Sequence, residues 1–317
     1  RAYGRMEAIM KQQDLKGIFS VISTPFMENL EVDYDSLRNC ARFALDSNAK
    51  GVLTTAMSAE FYTLTDREHY LAVETVADIL EGKIPMVVGI VSDSVEQCVA
   101  FAKHARSVGA AALNMTPPYL ESTKWGYDWD AVLRFFDVMS RASDLPFFIQ
   151  NSKLLGCNMS SDEVCELALR FPNVQYIKEE GFDMRQNPSR ILDRMKAESS
   201  ATFKGVITGS GHYLLEDFRR GVSGIMVPPE FTDYYVAMWD ACLAGDFELA
   251  RSMHTKMATL IIYQNIYWES LSKYVLKKRK IIRCSAVRST ISMFDDPNYA
   301  EADRMLRAVE PYFRVRY

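Results

Sequence analysis

A lysine and two glutamates follow a short apolar run near the middle of the chain. The run is Val174–Ile177, and the charged residues after it are Lys178, Glu179 and Glu180. A lysine held in a partly apolar site has its ammonium form disfavoured, and the neutral amine can attack a ketone to form a Schiff base. The alternative is a lysine at the end of a strand whose charge reaches water. The segment therefore makes Lys178 a candidate catalytic amine.

Glu180 is the candidate partner of this amine. Side chains alternate between the two faces of a strand, so Lys178 and Glu180 share a face if the strand continues that far, and Glu179 points the opposite way. A carboxylate beside an iminium can act as base or acid on the neighbouring carbon. The alternative is an ion pair at a rim, which contributes little to stability.

Further polar residues lie where other predicted strands end. Ser58 could hydrogen-bond a substrate carboxylate, although a loop serine is also typical of turns. Tyr119 could donate its hydroxyl or simply pack, and Gln150 could orient a polar ligand group but is a poor proton shuttle. Gly209 and Gly211 could let backbone amides approach a ligand, or form a turn before a helix.

The elements that would position these residues alternate along the chain. Eight β-type runs are separated by amphipathic helical patterns, and no GxGxxG or GxxxxGK[ST] loop follows any of them. This alternation favours an α/β fold of the closed (β/α)8 barrel (TIM barrel) type over an open doubly wound sheet, with the active site at the C-terminal strand ends. The predicted strands are 17–24, 51–55, 84–91, 111–115, 145–151, 174–178, 202–207 and 223–228.

Helix signals and the C-terminal pattern complete this prediction. Asp33, Thr65 and Ser160 each stand where an N-cap is expected. The barrel is predicted over residues 15–230. Residues 231–317 are predicted to hold the last barrel helix and a C-terminal helical extension of the same domain. This tail, helical over about 231–283 and 298–312, is interpreted as a pack that completes the fold, with an oligomer contact as the alternative.

Composition excludes several classes of protein. The 317 residues are 48% hydrophobic and carry a net charge of −4 without a basic block, which argues against nucleic-acid and anionic-membrane partners. The six cysteines lack CxxC spacing and the four histidines lack paired spacing, so no metal site is predicted and the cysteines indicate a reduced, cytoplasmic protein. Neither a membrane span nor a secretory signal is expected.

Several segments together resemble the Schiff-base-forming dihydrodipicolinate synthase and N-acetylneuraminate lyase superfamily. The similarity covers roughly residues 15–313 and includes "GIFSVISTPF", "GVLTTAMSAEFYTLTDRE", "GAAALNMTPPY", "LPFFIQN" and "VQYIKEE". The resemblance implies that Lys178 is the Schiff-base lysine of the family. It also implies a homo-oligomer, a tetramer or a dimer, and no cofactor.

Two departures from the family pattern bear on the reaction. The usual Thr-Thr pair is replaced by Met57 and Ser58, and the tyrosine that shuttles protons in the synthases and lyases is replaced by Gln150. Both replacements, with the Lys-x-Glu triplet at 178–180, are similar to 2-keto-3-deoxy-L-arabonate dehydratase and related sugar-acid dehydratases. The resemblance thus implies that Lys178, Glu180 and Ser58 act in catalysis. It implies a substrate-binding role for Met57, Ala59, Tyr119, Gln150, Gly209 and Met226.

The sequence therefore predicts a lyase that binds a small 2-keto acid as a Schiff base on Lys178. Dehydration of a 2-keto-3-deoxy sugar acid, of the 2-keto-3-deoxy-pentonate type, is the first hypothesis. A pyruvate-dependent aldolase or a dihydrodipicolinate-synthase-like enzyme is the alternative, and a barrel that binds a keto acid without turnover is the second. No metal is required, because the iminium itself supplies the electron sink.

Overall fold

Eight parallel strands form a closed barrel in the order in which they occur along the chain. The computed structural model describes residues 14–118, 127–152, 158–180, 186–289 and 293–317. The predicted (β/α)8 barrel with C-terminal helices is confirmed. The strands are β1 Gly17–Val21, β2 Gly51–Thr54, β3 Met86–Ile90, β4 Ala112–Met115, β5 Phe147–Ser152, β6 Val174–Glu180, β7 Gly205–Gly209 and β8 Gly224–Val227.

Helices follow the strands and continue to the C-terminus. The predicted N-caps are confirmed, because Asp33 and the capping-box residues Thr65 and Ser160 accept backbone N–H groups of the helices they precede. Helix α9 contains a non-helical residue, Trp268, where its backbone kinks. The helices are α1 Tyr34–Asp46, α2 Asp66–Leu80, α3 Val95–Ser107, α4 Trp129–Ala142, α5 Ser161–Arg170, α6 Asn187–Ala197, α7 Leu214–Arg220, α8 Thr232–Leu243, α9 Phe247–Lys278 and α10 Asp296–Val309.

The observed strand ends differ from the predicted ones in two places that matter for the site. Strand β6 continues two residues beyond Lys178, because Asn151 and Ser152 of β5 still pair with Glu179 and Glu180. Strand β7 is shifted towards the C-terminus of its predicted range and ends at Gly209. The apolar run thus predicted the start of β6. The charged residues at its end stay in the sheet because they pair with the neighbouring strand β5.

The chain divides into two compact units by its internal contacts. The first unit comprises residues up to Lys16, Pro85–Gly209 and Glu216–Ile225, and it carries β3 to β7. The second comprises Gly17–Ile84, Ser210–Leu215 and Met226–Tyr317, and it carries β1, β2 and the C-terminal helices. The predicted single domain spanning the barrel and its extension stays a prediction.

In the second unit, the C-terminal helices are tied to the chain by a buried ion pair. Lys273 of α9 donates to Glu60, which follows β2, and both side chains are fully buried. The second oxygen of Glu60 accepts the backbone N–H groups of Arg288 and Ser289. Each buried charge therefore has a partner, and the ion pair holds α9 against the segment that follows β2. Within the described ranges, no helix is long and apolar enough to cross a membrane.

In the first unit, a buried acid fixes helix α7 to strand β7. The Thr208 hydroxyl donates to Asp217 at 2.7 Å, and both residues are buried. Burial raises the pKa of Asp217 to about 6, although the hydrogen bond from Thr208 opposes the shift. The folded protein therefore holds a proton on Asp217 at pH values where the unfolded chain would release it.

This proton makes the effect of replacing Asp217 depend on pH. Because the folded pKa is raised, the stability contributed by protonated Asp217 is fully present below about pH 4 and is lost as pH rises through about 6. An Asp217→Asn variant does not titrate, so at pH 8 it should exceed the parent in unfolding free energy by up to about 3 kcal/mol. The difference should shrink towards zero at pH 4, which denaturant titrations at several pH values measure.

Asp193→Asn, an exposed substitution on α6, is the matched control and should change stability little at any pH. A difference between Asp217→Asn and the parent that is the same at pH 4 and pH 8 would contradict the raised pKa.

Candidate active site

Strand β6 places Lys178 and Glu180 on one face, as the alternation of side chains predicted. The Lys178 Nζ lies 3.1 Å from the Glu180 Oε2, and the lysine residue is 5% exposed. Glu179 between them faces the helices, because it contacts Asn187 of α6. Since strand side chains alternate, Lys178 and Glu180 occupy the inner face of the barrel wall. An amine and a carboxylate are thus held together in a site from which water is largely excluded.

Gln150 binds the same carboxylate oxygen of Glu180 that Lys178 contacts. It stands directly opposite Lys178 in the pairing of β5 with β6. Its Nε2 donates to the Glu180 Oε2 at 2.8 Å, and its Oε1 accepts from the Asn114 Nδ2 of β4 at 2.6 Å. Glu180 Oε2 is therefore shared between the ammonium of Lys178 and the amide of Gln150, which limits its movement.

An aromatic stack lies one layer below the lysine. Phe148 and Tyr176 precede Gln150 and Lys178 by two residues on the same faces, and their rings stack at 4.5 Å with an interplanar angle of 13°. The Tyr176 hydroxyl accepts the backbone N–H of Leu15 at 3.0 Å, and burial raises the pKa of Tyr176. This apolar layer supports the Lys178 side chain from below and separates it from the opposite end of the strands.

Gly209 at the end of β7 leaves the space that Glu180 occupies. A Cβ built on Gly209 would lie 1.6 Å from the Glu180 Oε1 and 2.4 Å from its Cδ. Any larger residue would have to displace the carboxylate. The sequence suggested that this glycine lets backbone amides approach a ligand. In the structure, its missing side chain also leaves room for the Glu180 carboxylate.

Glu179 belongs to a separate polar cluster on the outer face of β6. It is fully buried, and it accepts from Asn151 Nδ2 at 3.0 Å and from Asn187 Nδ2 at 3.3 Å. The Asn151 side chain also donates to the Met159 carbonyl and accepts from the Met159 N–H, each at 2.8 Å. Glu179 therefore joins the segments that follow β5 and β6, which is a structural role on the far side of the strand from Lys178.

The remaining predicted site residues lie in the second unit or outside the described ranges. Met57, Ser58 and Ala59 form a short 3-10 helix after β2, in which Ala59 is buried and the other two are partly exposed. Met226 lies on β8, and its carbonyl accepts from the Ser210 N–H at 2.8 Å. Tyr119 lies outside the described residues. The substrate contacts predicted for these five residues stay predictions.

One residue of the site was missed from the sequence. Asn114 is fully buried on β4, and its hydrogen bond to Gln150 extends the polar cluster away from Glu180. The signal was an amide within the apolar strand "ALNM", where barrel interiors usually carry branched apolar residues. A buried polar side chain needs a partner, so this residue could have been identified as part of a polar cluster.

A metal centre finds no support in the same ranges. Among residues 14–118, 127–152, 158–180, 186–289 and 293–317, no three His, Cys, Asp or Glu side chains are grouped so that they could hold a metal ion.

Comparison with known proteins assigns the chain to a family. Residues 14–309 match the dihydrodipicolinate synthetase family, so the chain belongs to that family. Its members are aldolase-type lyases that act on small keto acids. The subgroup of sugar-acid dehydratases suggested by the sequence is not identified by this match.

Related sequences carry the name of one activity. The 4-hydroxy-tetrahydrodipicolinate synthase of Methanocaldococcus jannaschii is 28% identical over 254 residues, which is 78% of this chain and 82% of that protein. The synthase of Methanospirillum hungatei is 26% identical over 276 residues, covering 86% and 90% of the two chains.

Solved structures share the fold at lower identity. The dihydrodipicolinate synthase of Rhodopseudomonas palustris superimposes with a TM-score of 0.85 at 22% identity, covering 93% of this chain and 98% of that one. The enzyme of Thermotoga maritima gives 0.84 at 20% identity, covering 94% and 99%. At these identities the similarity supports the barrel and leaves the reaction to be argued from the site.

Replacing Gly209 should separate the carboxylate from the lysine. In a Gly209→Ala variant the added methyl group must displace Glu180, and a displacement of about 1 Å can cost about 100-fold in rate. We expect a fall of that size in the rate at which the protein exchanges the C3 protons of pyruvate with deuterated solvent, followed by NMR.

A double variant tests whether this loss acts through Glu180. In a Glu180→Ala background the clash is absent, so adding Gly209→Ala should cost little further activity. Gly209 does not have a positive φ, so the added methyl group tests the space beside Glu180 and not backbone strain. Equal, independent losses in the two backgrounds would contradict the role of Gly209.

Proposed function

We propose that this protein is a lyase that binds a 2-keto acid as an iminium on Lys178 and uses Glu180 as the acid and base. The observation that carries this proposal is the buried Lys178 Nζ, 3.1 Å from the Glu180 Oε2, on the inner face of the barrel. Within this class, the chemistry of the site favours dehydration of a 2-keto-3-deoxy sugar acid.

The first step forms the iminium. Glu180 accepts a proton from the Lys178 ammonium, and the neutral amine attacks the C2 carbonyl to give a carbinolamine. Glu180 then returns the proton to the C2 hydroxyl, which leaves as water, and the C2=N bond forms. One water is released, and Glu180 ends the step as a carboxylate.

The second step removes water from the substrate. The iminium acidifies C3, and Glu180 takes a C3 proton to give an enamine. The enamine expels the C4 hydroxyl as water, with the proton supplied by Glu180, by Ser58 or by an ordered water. Hydrolysis of the resulting conjugated iminium frees Lys178 and an unsaturated 2-keto acid. When Glu180 is the donor, each proton that it takes is returned within the cycle, and otherwise Glu180 releases the C3 proton to water.

Gln150 is the reason for preferring dehydration to carbon–carbon bond cleavage. A retro-aldol step must remove the proton of a substrate hydroxyl and return one later. The family resemblance leads to the expectation of a tyrosine for this task, whereas Gln150 has no titratable proton and already bonds Glu180 and Asn114. An amide in this position supports holding Glu180 in place for chemistry at C3.

A pyruvate-dependent synthase is the second candidate. The names of the related sequences favour it, since the proteins from M. jannaschii and M. hungatei are both 4-hydroxy-tetrahydrodipicolinate synthases. Both reactions share the iminium and the C3 proton transfer, and they differ in whether the enamine expels a hydroxyl or attacks an aldehyde. A homo-oligomeric assembly and a cytoplasmic location are expected for either enzyme and are part of the proposal.

Reductive trapping tests the iminium. Treatment with pyruvate and borohydride should attach a reduced adduct to Lys178, identified by peptide mass analysis, and a Lys178→Met variant should not be labelled. Lys273, which is also buried but is paired with Glu60, is the internal control and should stay unmodified. An adduct that persists in Lys178→Met would overturn the proposal.

Product analysis then separates the reactions. Incubation with 2-keto-3-deoxy sugar acids should yield a dehydrated keto acid and no pyruvate. Release of pyruvate, or its condensation with an aldehyde, would replace dehydration by the aldolase or synthase activity. A trapped adduct without product and without exchange of C3 protons would leave a barrel that binds keto acids without turnover.

A further inference from the structure

A buried amide on strand β4 has no assigned role in the reaction described so far. Asn114 is fully buried between Leu113 and Met115, and it lies opposite Phe148 in the pairing of β4 with β5. A primary amide placed inside a barrel costs free energy unless it is hydrogen-bonded. Asn114 meets this requirement through Gln150, because its Nδ2 donates to the Gln150 Oε1 at 2.6 Å.

The bond from Asn114 completes a chain of hydrogen bonds with a direction. Asn114 donates to Gln150, Gln150 donates to Glu180 at 2.8 Å, and Glu180 pairs with Lys178 at 3.1 Å. An ionised carboxylate can only accept, so Gln150 must turn its NH₂ group towards Glu180 and its oxygen towards Asn114. Asn114 must then act as the donor.

We propose that Asn114 is a positioning residue that fixes the direction of the Gln150 amide and so holds Glu180 as an ionised acceptor beside Lys178. This inference rests on the proposed role of Glu180 as the base that removes the C3 proton. Asn114 acts through Gln150 and does not itself touch the substrate.

Among the residues that the structure describes, few other groups lie close enough to Glu180 to affect its protonation. On its own strand Lys178 is its charged partner, on β5 it faces Ser152 and Gln150, and on β7 it faces Gly209. Of these four neighbours among the described residues, Lys178 is the one that can titrate. A change in the pH dependence of proton transfer therefore reports on Lys178, Glu180 and the amide chain.

The test is the pH dependence of C3 proton exchange in pyruvate, measured by NMR in deuterated solvent. In Asn114→Leu the Gln150 amide can turn freely, so ionised Glu180 is less favoured and the acid limb of the rate profile should move to higher pH by about 0.5–1 unit. In Asn114→Asp the new carboxylate accepts a hydrogen bond from the Gln150 NH₂ group. The Gln150 oxygen then points towards Glu180, where it favours the protonated acid. This isosteric variant should move the limb further in the same direction.

Thr208→Val is the control, because it removes a buried hydrogen bond on the outer face of the neighbouring strand. It should lower stability without moving the acid limb. An acid limb that stays in place in both Asn114 variants, with losses confined to stability, would overturn the positioning role.

Borohydride trapping with pyruvate keeps the two proposals distinguishable. If Lys178 is labelled and the profile does not move, the amide chain is structural while the iminium chemistry stands. If Lys178 is not labelled in the parent protein, both the proposed function and the role of Asn114 fail.

Discussion

The contact between Lys178 and Glu180 is the interaction on which the rest of the site depends. Two opposite charges placed in a barrel wall lose their hydration, and their mutual attraction compensates for this loss only when further bonds satisfy them. Here the Gln150 amide satisfies the carboxylate, and the absence of a side chain at Gly209 gives it room. The Phe148–Tyr176 stack closes the layer below the amine. Each of these features helps to keep the Lys178 amine and the Glu180 carboxylate close enough for proton transfer between them.

Strand β6 separates chemistry from structure by the alternation of its side chains. Lys178 and Glu180 face the interior, whereas Glu179 faces the helices and binds Asn151 and Asn187. Three consecutive charged residues are therefore accommodated without competing for the same partners. A slip of one residue in the pairing with β5 would turn Glu179 to the inner face of the barrel and Lys178 to the outer face.

Much of the fold could be predicted from the sequence, because local patterns determine it. Apolar runs between N-cap signals such as Thr65 and Ser160 identify the strands and helices, and the alternation of the two identifies the barrel. The shared face of Lys178 and Glu180 follows from the two-residue period of a strand.

The end of β6 could not be predicted from a local pattern, since it is set by pairing with Ser152 on another strand. For the same reason the space at Gly209 and the bond between Asn114 and Gln150 were missed. They depend on which side chains meet across the barrel wall, and no local pattern encodes that meeting. The substrate contacts of Ser58, Met57, Ala59 and Met226 remain predictions, and the names of the related synthases favour the second candidate reaction.

Exchange of pyruvate protons in a Glu180→Gln variant examines the two roles that we propose together, iminium formation by Lys178 and transfer of the C3 proton by Glu180. Glutamine preserves the size of the side chain and keeps an oxygen for Gln150 and Lys178, but it cannot accept the C3 proton. If Glu180 moves the C3 proton, exchange falls by at least about 100-fold, and by more than the rate of borohydride trapping of pyruvate on Lys178, which also slows because Glu180 transfers the protons of iminium formation. Exchange at the rate of the parent protein in Glu180→Gln would contradict this role of Glu180.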